Sequence, residues 1–438
     1  MMPRPRPVAD GNAAMLYRFT ATATATACAC LGLQLLCATS AAAADNYSAS
    51  YTDVQGQPLG TASSTLDGLL RGVGAVPIPA GRVQSFGLSL RGVAAGLDGV
   101  ATPLSASTVY SGQLQLPATG ASTQFTDTSW SGVMDQVRRF LLQGSEAQRL
   151  QRESARVSPF DPVAGNPGSL MARRVAADFD SAFLPFASNL TDGPVQVAQV
   201  GGLPAGAVRG PLPALPGLGV QLGLLRDNGL SETSLTVPLS MTFRSDLDPR
   251  RQFAVSLPFT VSSVGGARAV QGALATSLRL PLGKDWSLAG SAAYAMVSAK
   301  DLGSAGKIGS LSLTSSYVLR GNSGDLAIGN MIGHYRTLGG RLNGIDTGSG
   351  IANTVLRNGL LWSMPAPSWL GFGRSVEMRF VNTHYTGTAL YLRNYSELGL
   401  DVGSNRRADS TRGYMQGGVS LLLSSKTTGV MAHFGSWF

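Results

Sequence analysis

The chain has 438 residues and a formal net charge of +9, yet only 13% of its residues are Asp, Glu, Lys or Arg, about half the usual share. With 55 glycines and a mean hydropathy of +0.11, this composition excludes a disordered chain, which needs high charge and little apolar content. It also excludes a coiled coil, and it points toward a membrane protein, although past residue 44 no run of about 18 apolar residues offers a spanning helix.

Residues 1–44 read as an export signal. Arg4, Arg6 and Arg18 precede an apolar and small-residue stretch from Phe19 to Cys37, and Ala41–Ala44 stand before Asp45 as a cleavage site. Cys28, Cys30 and Cys37 all lie inside it, so the processed chain is expected to carry no disulfide and no thiolate metal site. Its removal takes three Arg and one Asp and leaves a charge of +7.

Residues 45–192 form an N-terminal segment in which Val83–Leu90 and Ser107–Leu116 alternate weakly, as short strands do. A helix is predicted over 129–156. Trp130, Val133, Met134, Val137, Phe140 and Leu141 share one face, Thr128 or Ser129 can cap it, and Gly144 can interrupt it. A second helix over 169–184 aligns Met171, Val175, Phe179 and Phe183. These helices suit either a small periplasmic domain, which is the favoured expectation, or a barrel lumen. Residues 193–216 contain Pro194, Pro204, Pro211, Pro213 and Pro216 and read as a linker.

Residues 217–438 alternate with period two. Twelve strands are predicted, at 217–225, 231–244, 251–263, 270–282, 285–298, 308–320, 325–337, 353–364, 374–386, 391–403, 412–424 and 427–438. Ordinary strands run about 5–6 residues, whereas strands crossing a bilayer at a tilt need about 9–11. Most of these are of the longer kind. Lipid cannot hydrogen-bond a sheet edge, so the expected fold is all-β transmembrane: a closed antiparallel up-and-down β-barrel of about 12 strands. A small N-terminal region with one or two helices precedes it. The short turn at 283–285 suits the periplasmic side, and the Gly-rich stretch Leu338 to Ala352 an external loop. Trp286, Tyr294, Trp362, Trp369, Tyr385 and Trp437 suit aromatic girdles.

The chain closes on Phe434, Trp437 and Phe438. Here it resembles the β-barrel proteins of the Gram-negative outer membrane, whose last strand ends in an aromatic residue. That resemblance implies an outer-membrane location among outer-membrane lipids, and recognition of this end by the barrel-assembly machinery. The strand count further resembles autotransporter-type barrels, which thread a helix through the pore ahead of the first strand. The Pro-rich stretch before residue 218 departs from their more direct lead-in.

Arg244, Arg279, Arg320, Arg357 and Arg379 fall on the polar faces of their strands. In an open lumen they would favour small anionic solutes. In a plugged one they would meet Asp135, Glu146, Asp178 or Asp180 of the plug. A third arrangement pairs them with Glu377, Glu397 and Asp401 across the wall. No catalytic, cofactor-binding or metal motif is found. His384 with Asn382 at a strand end could serve a lipid hydrolase. The basic residues are scattered, which argues against nucleic acid. The expected function is a channel or passage protein with a plug or periplasmic N-terminal segment. The alternatives are an autotransporter-like or anchored surface interaction protein, with residues 45–200 as a small passenger, and an outer-membrane lipid hydrolase.

Overall fold

The computed structural model describes residues 45–53, 55–188, 214–227, 229–245, 248, 250–366, 375–403 and 414–437. The expected signal (1–44), most of the expected linker (193–213), Trp369 and Phe438 lie outside the described residues.

The chain first builds a six-stranded antiparallel sheet. Its strands are β1 (Tyr47–Thr52), β2 (Pro58–Ser63), β3 (Val83–Leu90), β4 (Val93–Pro103), β5 (Thr108–Leu116) and β6 (Ala121–Asp127), in the spatial order β2-β1-β3-β4-β5-β6. Period-two alternation puts Phe86, Leu88, Leu97 and Leu114 on one face. That face is covered by α1 (Leu66–Gly74) and α2 (Trp130–Leu142), which supply Leu69, Val73, Trp130, Val133 and Val137, all buried. Each helix starts on a hydroxyl cap: Thr65 accepts from the Gly68 amide and Ser129 from the Gly132 amide, both at 3.0 Å. Gly99 and Gly112 are register partners, and a Cβ on Gly99 would sit 2.7 Å from the Trp130 ring. The two glycines form the floor on which that ring lies. The single helix expected over 129–156 is in fact two, because Gln143 is extended and α3 (Gly144–Val157) starts anew after it.

The second part is a closed ring of twelve antiparallel strands. Its first strand, β7 (Leu215–Asp227), pairs with its last, β22 (Thr428–Trp437). Between them run β8 (Leu230–Val237) with β9 (Leu239–Arg244), β10 (Gln252–Ser256) with β11 (Phe259–Val264), β12 (Ala267–Pro281), β13 (Trp286–Ala299), β14 (Ser304–Leu319) and β15 (Asp325–Thr337). A small hairpin of β16 (Arg341–Leu342) and β17 (Ile345–Asp346) follows, then β18 (Ala352–Pro365), β19 (Ser375–Gly387), β20 (Asn394–Gly403) and β21 (Tyr414–Leu423). β8 and β9 are halves of one wall strand, since both keep one register against β7 across Pro238. β10 and β11 are likewise joined across Pro258. Proline has no N–H to give the ladder, which is why each strand is interrupted there. Among the described residues no helix is long and apolar enough to cross a membrane.

The wall is apolar outside and polar inside. Leu274, Leu278, Leu311, Leu313, Met378, Phe380, Val419 and Leu421 are exposed on the outer face. Ser291, Ser312, Thr314, Ser316 and Thr383 are buried on the inner one. That inversion of the usual globular pattern is what a hydrocarbon solvent selects. The start of β7 and the end of β22 share one mouth, here the terminal mouth. The connections at 265–266, 300–303, 338–351 and 388–393 lie at the opposite one.

Candidate functional site: the threaded lumen

The N-terminal sheet sits over the opposite mouth, which is therefore the capped mouth. The Tyr47 hydroxyl donates to the Leu302 carbonyl at 2.7 Å, the Leu66 amide to Asp301 O at 2.9 Å, and Asn46 Nδ2 to Val264 O at 3.2 Å. Burial of the Tyr47 phenol pushes its pKa up to about 12, so it stays a donor at any physiological pH. On α3, Arg152 donates to the Ser349 and Gly350 carbonyls, each at 2.9 Å.

Residues 158–169 then turn inward as an almost wholly buried loop. A buried loop needs every polar group matched. Asp161 accepts from the amides of Val163 and Ala164 and from Arg91 Nη1, the last at 2.8 Å, and Asn166 Nδ2 donates to Asp161 O at 2.7 Å. Burial pushes the Asp161 carboxyl up, and Arg91 opposes that shift. The wall loop after β19 clamps this collar: the Tyr391 and Leu392 amides donate to the carbonyls of Ala155 and Gly165, both at 2.9 Å.

From the collar, α4 (Leu170–Ser188) runs down the barrel interior. Near the capped mouth, Gln271 Nε2 donates to Gly168 O at 3.2 Å and Arg173 pairs with Glu232 at 2.9 Å. Toward the terminal mouth, Arg279 Nη2 donates to the Ser181 and Ala182 carbonyls, each at 3.0 Å. A helix of this length covers about 28 Å, close to the roughly 30 Å of a hydrocarbon core. Midway, Phe179 and Phe183 lie fully buried with ring centroids 5.0 Å apart. They rest on Gly329 and Gly359, direct partners on β15 and β18. A Cβ at Gly359 would come 2.7 Å from Phe179, and one at Gly329 2.5 Å from Phe183. The predicted helix over 169–184 thus exists, but in the lumen rather than in the favoured periplasmic domain.

Most of the predicted charges meet inside this lumen. Arg357 is fully buried and grips Glu397 with both terminal nitrogens, at 2.9 and 3.2 Å. Its guanidinium stands 5.4 Å from the Phe179 ring centre. Arg379 donates to Ser420 at 2.9 Å, and Glu377 accepts from Ser363 at 3.3 Å. Asp401 meets His433 at 2.9 Å across Gly418, whose missing side chain opens the way. Arg279 reaches Gln252 at 3.0 Å besides the helix carbonyls, while Arg244 is half-buried near the terminal mouth. Arg320 is a correction: β14 ends one residue earlier, and this side chain pairs with Asp285 at 2.8 Å in an exposed turn.

The expected plug acids divide as well. Asp178 accepts from the Tyr335 hydroxyl at 2.9 Å and pairs with Arg174 of its own helix. Asp180 has Arg379 and Arg357 as its main electrostatic neighbours. Asp135 and Glu146 stand on α2 and α3, outside the lumen. Arg173, Glu232, Tyr335 and the two seating glycines escaped the sequence reading. The glycines could only have been found as a registered pair facing inward. His384 is on the exposed outer face, and Asn382 donates instead to Asn394 at 2.8 Å and Ser396 at 3.0 Å. Phe434 lies on β22 and Trp437 ends it.

One contact of the cap is acid-sensitive. The Gly144 amide, at the start of α3, donates to Asp346 Oδ2 at 2.6 Å and holds that carboxyl below its usual range. A lowered folded pKa means that the contact is intact above the ordinary carboxylate value of about 3.9 and is lost as pH falls through the lowered one. Protection of the Gly144 amide relative to its intrinsic exchange rate should therefore stay constant down through the ordinary carboxylate range and fall only below it, and Asp346→Asn should abolish that dependence.

The closed wall, apolar outside and polar within, places the chain in the class of outer-membrane β-barrel proteins. No family model matches the sequence, and no curated protein does. Solved structures do match. The β domain of the Bordetella autotransporter BrkA is 13% identical, over 51% of this chain and 98% of that one, with a TM-score of 0.40. The translocator domain of the autotransporter NalP from Neisseria meningitidis is 12% identical over 51% of this chain and 87% of that one, TM-score 0.39. An outer membrane channel from Pseudomonas putida F1 is 14% identical over 52% and 97%, TM-score 0.35.

Proposed function

We propose that this is a surface-display protein: a plugged barrel that holds the six-stranded domain on the outside of the cell. The observation that carries this reading is the path of the chain. The domain caps one mouth, α4 descends through the lumen, and β7 starts from the other mouth. A chain laid out in this way has passed through its own barrel. At the capped mouth Arg226, Arg268, Lys300, Lys307 and Arg336 have no ion-pair partner among the described residues. They suit the anionic headgroups of an outer leaflet. At the terminal mouth Arg250 and Arg320 pair with Asp248 and Asp285, while Arg251 and Lys284 have no ion-pair partner among the described residues, so rim charge alone does not set the orientation. The lumen arginines then serve as anchors of the plug and the wall, not as a solute filter.

Because no cysteine follows Cys37, a single Ser85→Cys, on the exposed face of β3, makes a clean reporter. A membrane-impermeant maleimide should label it on intact cells. Labelling only after the outer membrane is permeabilised would place the domain in the periplasm and sink the proposal. Planar bilayers give an independent readout: the unmodified protein should stay closed, and steady open-channel current would favour a passage protein instead.

A further inference from the structure

The outer face of the wall carries a polar row within its apolar belt, on the terminal-mouth side of the exposed His334–Thr354 pair. Ser315, Asn330, Asn358, Asn382 and Ser396 are successive register partners on β14, β15, β18, β19 and β20. The ends of the row are satisfied within the chain. Trp286 Nε1 donates to Ser315 at 3.0 Å, and Asn382 donates to Asn394 and Ser396. The centre is different. Asn330 and Asn358 are exposed and make no side-chain hydrogen bond among the described residues. Their outward neighbours along the same strands are Ile328, Ile332, Leu356 and Leu360, so both amides lie inside the apolar belt.

Hydrocarbon offers an amide neither donor nor acceptor, and leaving one unmatched there is costly. Polar side chains in that position act as glue between membrane segments. A carboxamide carries both donors and an acceptor, so a pair of them is its own complement. Copies inserted in one membrane share an orientation. A two-fold axis along the membrane normal sets this face against itself and matches amide to amide. A cationic or anionic row would repel its own copy, and this one does not. We propose that the β15–β18 face is where a second copy of this chain docks within the membrane.

The test uses the full processed chain in lipid vesicles, with dye photobleaching counted per particle as protein is diluted in lipid. Two-step bleaching is expected for the unmodified protein. The double variant Asn330→Leu, Asn358→Leu should raise the dissociation constant at least tenfold, while heat-modifiable gel migration shows the barrel still closed. Leu356→Cys, beside the row, should crosslink to its own copy through a short bis-maleimide, and Val270→Cys, four strands away, should not. One-step bleaching at every dilution, equal dissociation of the double variant, or crosslinking of Leu356→Cys only to a different protein would each overturn the proposal.

Discussion

Phe179→Ala combined with Phe183→Ala is expected to release α4 from the lumen while the barrel stays closed. Both rings are fully buried, and truncating such a ring costs about 3–5 kcal/mol. The rings touch each other, so the two losses will not simply add. The helix is also held by the Arg173–Glu232 ion pair near the capped mouth and by the hydrogen bond from Tyr335 to Asp178, so the rings are its apolar anchor among polar ones. The hydrogen bonds from Arg279 to the helix carbonyls of Ser181 and Ala182 are worth about 1 kcal/mol each net of water, or up to about 3 because a charge is involved. The cation–π contact from Arg357 adds about 0.5–2 kcal/mol and disappears with the ring. Amide exchange over 175–183 should speed up by at least about 100-fold, since each 1.4 kcal/mol is tenfold. Gly359→Leu should act from the wall side, because no Leu fits where a bare Cβ already falls 2.7 Å from Phe179. Unchanged exchange in both variants would show that the helix is held by its ends alone.

The same two residues show what the sequence disclosed and what it hid. Met171, Val175, Phe179 and Phe183 recur at helical spacing, so the helix could be read; its apolar stripe fits any apolar seat, so its location could not. The seat is made of Gly329 and Gly359, and a glycine signals only by lacking a side chain. The prolines after residue 193 pulled the expectation toward a separate domain, although a linker there is as compatible with a chain turning at the foot of a barrel. All twelve wall strands were readable because Leu, Val and Phe alternate with Ser and Thr, a contrast that lipid on one side and a polar interior on the other demand.

The N-terminal sheet lacked that contrast. β4 reads Val-Ala-Ala-Gly-Leu-Asp-Gly-Val-Ala-Thr-Pro. Its Gly99 makes room for Trp130, as Gly112 of β5 does for Val133, and a bare glycine does not advertise a strand. Only β3 and β5 of the six strands were foreseen, and α1 was missed. Among the charges, face parity put Arg357, Arg379, Glu397 and Asp401 on the inner face, and all four side chains are buried. It failed for Arg320 because parity has meaning only while a strand continues, and β14 stops at Leu319.

Glu397→Ala is expected to cost about 3–5 kcal/mol, the usual toll of leaving one partner of a buried ion pair behind. Arg357 cannot shed its proton at any accessible pH, and its side chain has no exposed surface through which water could replace the carboxylate. The pair is bidentate, so two charge-assisted hydrogen bonds are lost together. The stranded guanidinium keeps Thr383 and the Phe179 ring as contacts, neither of which carries a negative charge, and only the more distant Asp180 of α4 remains to oppose it. A different result follows from removing both groups: Arg357→Met with Glu397→Leu should lie within about 1 kcal/mol of the unmodified protein, because desolvation of two ions roughly cancels their attraction. Urea unfolding in lipid vesicles, read by tryptophan fluorescence, compares the three proteins directly. If the double variant loses as much as the single one, the pair contributes net stability and the argument from desolvation fails here. If neither loses anything, Glu397 is not the partner that keeps Arg357 charged, and Asp180 of the threaded helix becomes the group to change next.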